Sequence, residues 1–198
     1  MIQHCKDMKN CLLIDCYDSF THKLAQILAK AGKMQVHIRP WDKLKMEELS
    51  MADCVVLSPG PGLPHEYPAL FRFLAKLHDK PVLGICMGHQ IMALYCGARL
   101  SHLPHVMHGQ KQSLIIKHED AMFDGLSGKN AALSIGLYHS WYVTGLPQQL
   151  RLLAENQDGI AMAIRHKVYP WHSLQFHPES YMTEHGLRML KNWLESLD

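Results

Sequence analysis

The segment Gly84-Ile85-Cys86-Met87-Gly88 constrains the fold of this chain more than any other. An apolar run leads into the cysteine, and residues 91–94 continue with helical character. A side chain at either glycine would collide with the neighbouring strand or helix in a tight strand-to-helix turn. The pattern therefore predicts a nucleophile elbow, with the Cys86 sulfur at a helix N-terminus that favours its thiolate form. The alternative from this segment alone is a buried cysteine at a strand end.

A second segment supplies an acid–base pair. Alternating apolar residues over 171–176 predict a strand that ends close to His177. Glu179 lies two residues further on, so in an extended segment its side chain leans to the same side as the imidazole. A carboxylate there fixes the tautomer of the histidine and supports its charged form. Cys86, His177 and Glu179 are a complete set for nucleophilic acyl transfer, whereas His172 fits a structural role.

Composition excludes several classes of protein. The 198 residues are enough for one domain with a real core, and 47% apolar residues are typical of a globular protein. A formal net charge of +2 gives no indication of a nucleic-acid or membrane-surface partner. No apolar run is long enough to cross a bilayer, and the polar start of the chain does not resemble a signal peptide. Six cysteines without C-x-x-C pairs predict free thiols, a cytoplasmic location and no metal site.

The order of elements predicts an α/β fold. Strands over 12–15, 36–38, 54–57 and 82–85 alternate with helices that begin at Ser19, capped by Asp18 or Ser19, and cover 70–77. This βαβ rhythm is typical of an open, mostly parallel twisted sheet with helices on both faces.

The second half of the chain differs, because short turns there imply an additional antiparallel region before a closing helix over 187–197. The strands predicted for that region cover residues 113–116, 132–135, 152–154 and 160–164. We expect a single domain over 1–198 with a polar N-terminal extension at 1–10.

Three further segments have composition suited to a site. Ser58-Pro59-Gly60-Pro61-Gly62 follows the third strand, where α/β folds place their active sites. Its prolines stiffen the loop and its glycines expose N–H groups, as an oxyanion hole requires, although a stiff surface turn has the same composition. The segment 138–141, between two strand-like runs, and the loop 106–110 are ambiguous by themselves.

Together these motifs resemble the class I, or triad-type, glutamine amidotransferases, a flavodoxin-like fold. The matching segments are residues 58–62, 84–90, 138–140 and 175–180. Within that class, residues 13–21 are similar to one branch, the glutaminase component of anthranilate synthase and aminodeoxychorismate synthase. The resemblance covers residue 11 to the C-terminus, with five motifs in one order.

The resemblance implies specific roles. Cys86 would be the nucleophile, His177 the base and then the acid, and Glu179 the group that orients His177. The backbone N–H groups of Gly60 and Met87 would form the oxyanion hole. The groups that grip the amino-acid part of glutamine would be the following: the backbone of Gly60, Pro61 and Gly62, the side chain of Gln90, and the backbone of Ser140 and Trp141.

The resemblance also implies a partner. Glutamine would be hydrolysed to glutamate and ammonia through a cysteinyl thioester, and a chorismate-utilising synthase subunit would receive the ammonia in a hetero-oligomer. No cofactor is expected in this chain. We expect the helix after Ser19 and the region near Gly109 to face the partner. The chain departs from the branch pattern at Cys16, His22-Lys23, Leu137, Trp141 and Gln110, which leaves the triad intact but affects expected partner contacts and glutamine binding.

Other functions remain open at this stage. The chain could be the glutaminase of another synthase, a hydrolase of other γ-glutamyl amides, or a non-catalytic binding or scaffold subunit of the same fold. The sequence leaves open whether the product enters tryptophan or folate synthesis.

Overall fold

The computed structural model describes residues 8–32, 34–126 and 133–197. Its strands are β1 (Asn10–Asp15), β2 (Gln35–Pro40), β3 (Cys54–Leu57), β4 (Val82–Ile85), β5 (Arg99–Ile116), β6 (Leu133–Thr144), β7 (Leu150–Glu155), β8 (Ala161–His166) and β9 (Trp171–Leu174). Its α-helices are α1 (Thr21–Gly32), α2 (Met46–Met51), α3 (Pro68–Leu74), α4 (Met87–Tyr95) and α5 (Gly186–Glu195). Two short 3₁₀ turns cover Pro64–Glu66 and Ala121–Phe123.

The nine strands form one sheet in the order β2-β1-β3-β4-β9-β8-β7-β5-β6. The strands from β2 to β9 in that order pair in parallel, which is the arrangement of flavodoxin-like sheets. The remaining pairs, from β9–β8 to β5–β6, are antiparallel. The predicted fold class, a parallel sheet extended by an antiparallel region, is confirmed.

Helices cover both faces of the parallel part. Leu24 and Leu28 of α1 pack with Trp193 of α5 in one apolar cluster. The other face of the sheet carries α2, α3 and α4 in a second cluster, which includes Leu70 and Ile91. Burial on both faces explains why β1, β3 and β4 read as continuous apolar runs.

The structure corrects the predicted boundaries in the first half of the chain. Asn10, assigned to the polar extension, is the first residue of β1, and residues 1–7 of that extension lie outside the described residues. The helix predicted over 70–77 ends at Leu74. α2 was not predicted, because its six residues are too few to show a helical period. At the start of α1, the Asp18 carboxylate accepts a hydrogen bond from the Phe20 N–H at 2.8 Å, as expected of a cap.

The larger corrections concern the antiparallel region. Residues 106–110, predicted as a loop, lie within the 18-residue strand β5. Residues 138–141, predicted to separate two strands, lie inside β6. Gly109 has φ +67° at a register shift of the β5–β6 pair, so the glycine marks a bulge rather than a loop. β9 ends at Leu174, three residues before His177, and Ala132 lies outside the described residues.

In the described part of the chain, no helix combines the length and the apolar character needed to cross a membrane.

Candidate active site

Cys86 occupies a strained turn between β4 and α4. Its φ of 50° and ψ of −96° are unusual for a residue with a side chain, as at a nucleophile elbow. A Cβ built on Gly84 would lie 2.6 Å from the backbone of Gly88, and one on Gly88 would lie 2.6 Å from the Leu57 carbonyl oxygen. The glycine spacing is therefore required by packing, as the sequence predicted.

The strand order brings Cys86 to the histidine segment. β4 pairs with β9 so that Ile85 lies opposite Leu174, and the Cys86 N–H donates to the Leu174 carbonyl at 2.8 Å. The segment after β9 then turns, and the His177 N–H donates to the carbonyl of Gly136 in β6 at 3.1 Å. Two residues distant in sequence thus leave neighbouring strands at the same edge of the sheet.

His177 and Glu179 form a buried pair. The Nδ1 atom of His177 lies 2.6 Å from the Oε1 atom of Glu179, and both residues are 2% exposed. Because a carboxylate only accepts hydrogen bonds, Nδ1 carries the proton in this contact. The Nε2 atom of His177 is buried without an aligned hydrogen bond among the described residues, so its interaction with Cys86 is one of charge.

The pKa of His177 reflects this surrounding. Burial alone would lower the pKa, but the charge of a Cys86 thiolate, together with the hydrogen bond and charge of Glu179, holds it well above its ordinary value. The arrangement therefore favours an imidazolium beside a thiolate, which is the state of an activated cysteine nucleophile.

Two aromatic rings that the sequence did not assign to the site hold the imidazole from the side. Tyr138 of β6 packs against His177 with ring centroids 4.9 Å apart, and Phe20 does so at 5.7 Å. Both contacts are edge-on, and the two aromatic rings also contact each other at 5.3 Å. Tyr138 is fixed in turn by its hydroxyl, which lies 3.1 Å from the Ser180 hydroxyl.

The loop after β3 is fixed close to the elbow. The Ser58 hydroxyl accepts a hydrogen bond from the Cys16 N–H at 2.8 Å and donates to the Pro59 carbonyl at 2.6 Å. The Tyr67 hydroxyl donates to the Pro61 carbonyl at 2.7 Å. Gly60 approaches so closely that a Cβ there would lie 2.6 Å from the Cys16 Cβ. The loop is a built part of the site rather than a surface turn.

A cavity of about 240 Å³ joins these parts. The sequence-predicted residues that line it are Gly60, Pro61, Gly62, Cys86, Met87, Gln90, Ser140 and Trp141. Tyr138 and His139 complete the lining. Met87 is the first residue of α4, where an N–H has no acceptor within the helix. His177 and Glu179 are buried behind this wall.

Gln175 is a further residue that sequence reasoning missed. Its Nε2 atom lies 3.8 Å from the Cys86 sulfur, and its Oε1 atom accepts from the Gln90 Nε2 at 3.3 Å. The signal was available, because Gln175 is two residues before His177 in the alternating segment. Gln90 also donates to the Trp141 carbonyl at 2.8 Å.

His172 lies outside this site, as expected. Its Nε2 atom lies 3.3 Å from the Oδ2 atom of Asp120, which also pairs with Arg165 at 3.5 Å. Within the described residues, no cluster of three or more histidine, cysteine, aspartate or glutamate side chains is arranged to hold a metal ion.

Comparison with known proteins agrees with this geometry. Residues 12–197 match the family model described as glutamine amidotransferase class-I. The chain therefore belongs to the class I glutamine amidotransferase family, as the motifs indicated.

Relatives and a solved structure narrow the similarity. The chain is 38% identical over 193 residues to anthranilate synthase component 2 of Thermus thermophilus, covering 93% of this chain and 91% of that protein. It is 43% identical over 188 residues to aminodeoxychorismate synthase of Streptomyces griseus, covering 92% of this chain but 25% of that longer protein. The crystal structure of a GMP synthase subunit from Thermoplasma acidophilum superposes with a TM-score of 0.86 at 27% identity, covering 96% and 94% of the two chains.

Proposed function

We propose that this chain hydrolyses L-glutamine to glutamate and ammonia through a thioester on Cys86. The observation that carries the proposal is the convergence of three features on one cavity. These are a strained cysteine at a helix N-terminus, a buried His177–Glu179 pair beside it, and a stiff glycine-containing loop opposite. This combination suits acyl transfer from an amide.

In the first step the Cys86 thiolate attacks the side-chain amide carbon of glutamine. The carbonyl oxygen becomes an oxyanion, and we assign its stabilisation to the backbone N–H groups of Gly60 and Met87. Each such donor is worth roughly 3 kcal/mol at the barrier in related acyl transfers. The donors cost no reorganisation, because packing fixes both the Gly60 loop and the start of α4.

Proton transfer falls to His177. The imidazolium gives its Nε2 proton to the departing nitrogen, because an amide anion is a poor leaving group. The C–N bond breaks, ammonia leaves, and a glutamyl thioester remains on Cys86. Neutral His177 then takes a proton from water, whose oxygen attacks the thioester carbon. Glutamate leaves with the carbon–sulfur bond broken, and the thiolate–imidazolium pair returns.

The amino-acid end of glutamine would lie against the outer part of the cavity. We assign its contacts to the backbone of Gly60, Pro61 and Gly62, the Gln90 side chain, and the backbone of Ser140 and Trp141. Both amide hydrogens of Gln90 face acceptors within the protein, at Trp141 and Gln175. Its carbonyl oxygen is therefore the part of Gln90 left for the substrate ammonium group.

Ammonia must reach a second active site without first being protonated in water. We propose that the receiver is a chorismate-utilising synthase subunit, held with this chain in a cytoplasmic hetero-oligomer that makes anthranilate or 4-amino-4-deoxychorismate. The names of the two relatives support this branch. The proposed reaction needs no cofactor in this chain and no nucleic acid.

A thiol-reactive analogue of glutamine tests the chemistry. We expect one mass adduct on the peptide that contains Cys86, competition by L-glutamine, and no adduct in Cys86→Ala. Glutamate release should depend on the same residue. Absence of the adduct and of glutamate release, with the endogenous partner present, would favour a scaffold role.

The partner requires a separate experiment. The endogenous synthase should co-purify with the tagged chain, and addition of chorismate and glutamine should give an aminated chorismate product identifiable by mass spectrometry. Co-purification with a synthase that aminates another acceptor would retain the glutaminase but refute the branch.

A further inference from the structure

The pairing of β5 with β6 is interrupted where β6 lines the cavity. His102 lies opposite Trp141, and the next pair along the strands is Met107 with His139. Residues 103–106 of β5 thus lie opposite Ser140 alone. A regular ladder would fix the backbone of β6 through interstrand hydrogen bonds, and this break removes that support at Ser140, in the wall of the cavity.

Side chains provide the missing support. The Trp141 carbonyl accepts one hydrogen bond from Gln90 Nε2 at 2.8 Å and another from His139 Nδ1 at 3.0 Å. Because a carbonyl only accepts, the proton of the His139 ring is on Nδ1. His139 is 5% exposed, and its Nε2 atom is buried with no hydrogen bond among the described residues. The Nδ1 contact is therefore the polar function of this ring.

His139 also suits this place electrostatically. Burial lowers its pKa to about 4, and the charge of His177 lowers it further, although the hydrogen bond to Trp141 acts the other way. The ring is thus neutral near pH 7 and adds no second positive charge beside the His177 imidazolium.

We propose that His139 is a positioning residue that fixes the Ser140–Trp141 backbone for recognition of the amino-acid end of glutamine. The inference rests on the proposed function, since it assigns a task within the same cavity. His139 acts through Trp141 and touches neither the reacting carbon nor the leaving nitrogen. Its loss should therefore weaken glutamine recognition, seen in KM, and leave the reactivity of Cys86 unchanged.

Two substitutions separate this role from simple packing. Asparagine places its amide nitrogen near the position of Nδ1 and can still donate to the Trp141 carbonyl. Glutamine reaches instead toward the position of Nε2, where the ring makes no hydrogen bond. His139→Asn should therefore retain function that His139→Gln loses, although glutamine is closer to histidine in size. His118→Gln is the matched control, because that exposed histidine also bonds through Nδ1 to a backbone carbonyl, that of Leu152, at 2.7 Å.

The experiment compares two reagents on the full chain. Iodoacetamide reports thiolate reactivity at Cys86, and a diazoketone analogue of glutamine reports recognition as well; adducts are located by peptide mass spectrometry. In His139→Gln we expect the analogue rate constant to fall roughly 3- to 10-fold, as for one lost hydrogen bond, with the iodoacetamide rate unchanged. KM for glutamine should rise by the same factor, with kcat retained. His139→Asn and His118→Gln should match wild type in both reactions.

Each outcome has one meaning. Equal analogue rates in wild type and His139→Gln, or equal losses in the asparagine and glutamine variants, would overturn the role of Nδ1. A parallel fall in the iodoacetamide rate would assign His139 to the catalytic pair instead. If wild type reacts with iodoacetamide but not with the analogue, the proposed function fails, and the positioning role fails with it.

Discussion

Replacement of His89 by asparagine should flatten the pH dependence of stability in acid. His89 lies in α4 directly behind the elbow, is fully buried, and has its Nδ1 atom 2.9 Å from the Ser173 hydroxyl. Burial lowers its pKa to about 3, with a smaller contribution from the charge of His139. Asparagine keeps a polar group near Nδ1 but binds no proton.

The magnitude follows from proton linkage. In the unfolded chain a histidine has a pKa of about 6.5, so below that pH the unfolded state binds one proton that folded His89 refuses. The free energy of unfolding then falls by about 1.4 kcal/mol for each pH unit, down to a pH of about 3, where the folded histidine also protonates. At pH 4.5 the loss is about 2.7 kcal/mol. Above about pH 6.5 the effect vanishes.

Urea unfolding at several pH values between 7 and 4.5 measures the effect. The difference in unfolding free energy, His89→Asn minus wild type, should become more positive by about 2.7 kcal/mol over this range, whatever its value at pH 7. His139 contributes with the same sign in both proteins, and His177, whose pKa is raised, contributes with the opposite sign, so both cancel in the difference. An exposed histidine variant, His118→Asn, should show no such trend. Parallel pH profiles for His89→Asn and wild type would refute the reasoning.

Three further predictions concern the elbow, the acid and the loop. Gly88→Ala should destabilise the protein by about 1–3 kcal/mol in urea unfolding and reduce labelling of the nucleophile, because its Cβ would lie 2.6 Å from the backbone of β3. Glu179→Gln should lower kcat for glutamine hydrolysis by roughly 10³- to 10⁴-fold, because it removes the buried charge that supports the imidazolium; a wild-type kcat would contradict this. Ser58→Ala should cost about 1–3 kcal/mol and lower kcat without changing iodoacetamide reactivity, since it leaves the Cys16 N–H unpaired; unchanged stability would show that the bond is replaced.

The parts of the fold that the sequence predicted are those with a local physical cause. The elbow depends on glycines that must lie two residues from Cys86, and the structure places backbone at 2.6 Å from both missing side chains. The His177–Glu179 contact needs only an extended segment with two residues between matching directions. The buried strands β1, β3 and β4 are continuous apolar runs because helices cover both faces.

The parts that the sequence missed have no local period. β5 is exposed along most of its length, so its residues show neither strict alternation nor an apolar run, and Gly109 reads as a turn although it forms a bulge. The cavity wall at residues 138–141 read as a loop for the same reason, since Gln90 and His139 hold it in place of a regular ladder.

The sequence by itself determined the chemistry, because a cysteine at a glycine-bracketed turn and a histidine beside an acid need only their own neighbours to be recognised. Only the tertiary structure decided that they meet. β4 lies beside β9 through the order of the strands, and Phe20, Tyr138 and Gln175 reach the pair from other elements. Strand order arises from long-range packing, and a hydrophobic pattern specifies which residues are buried but not which strands become neighbours.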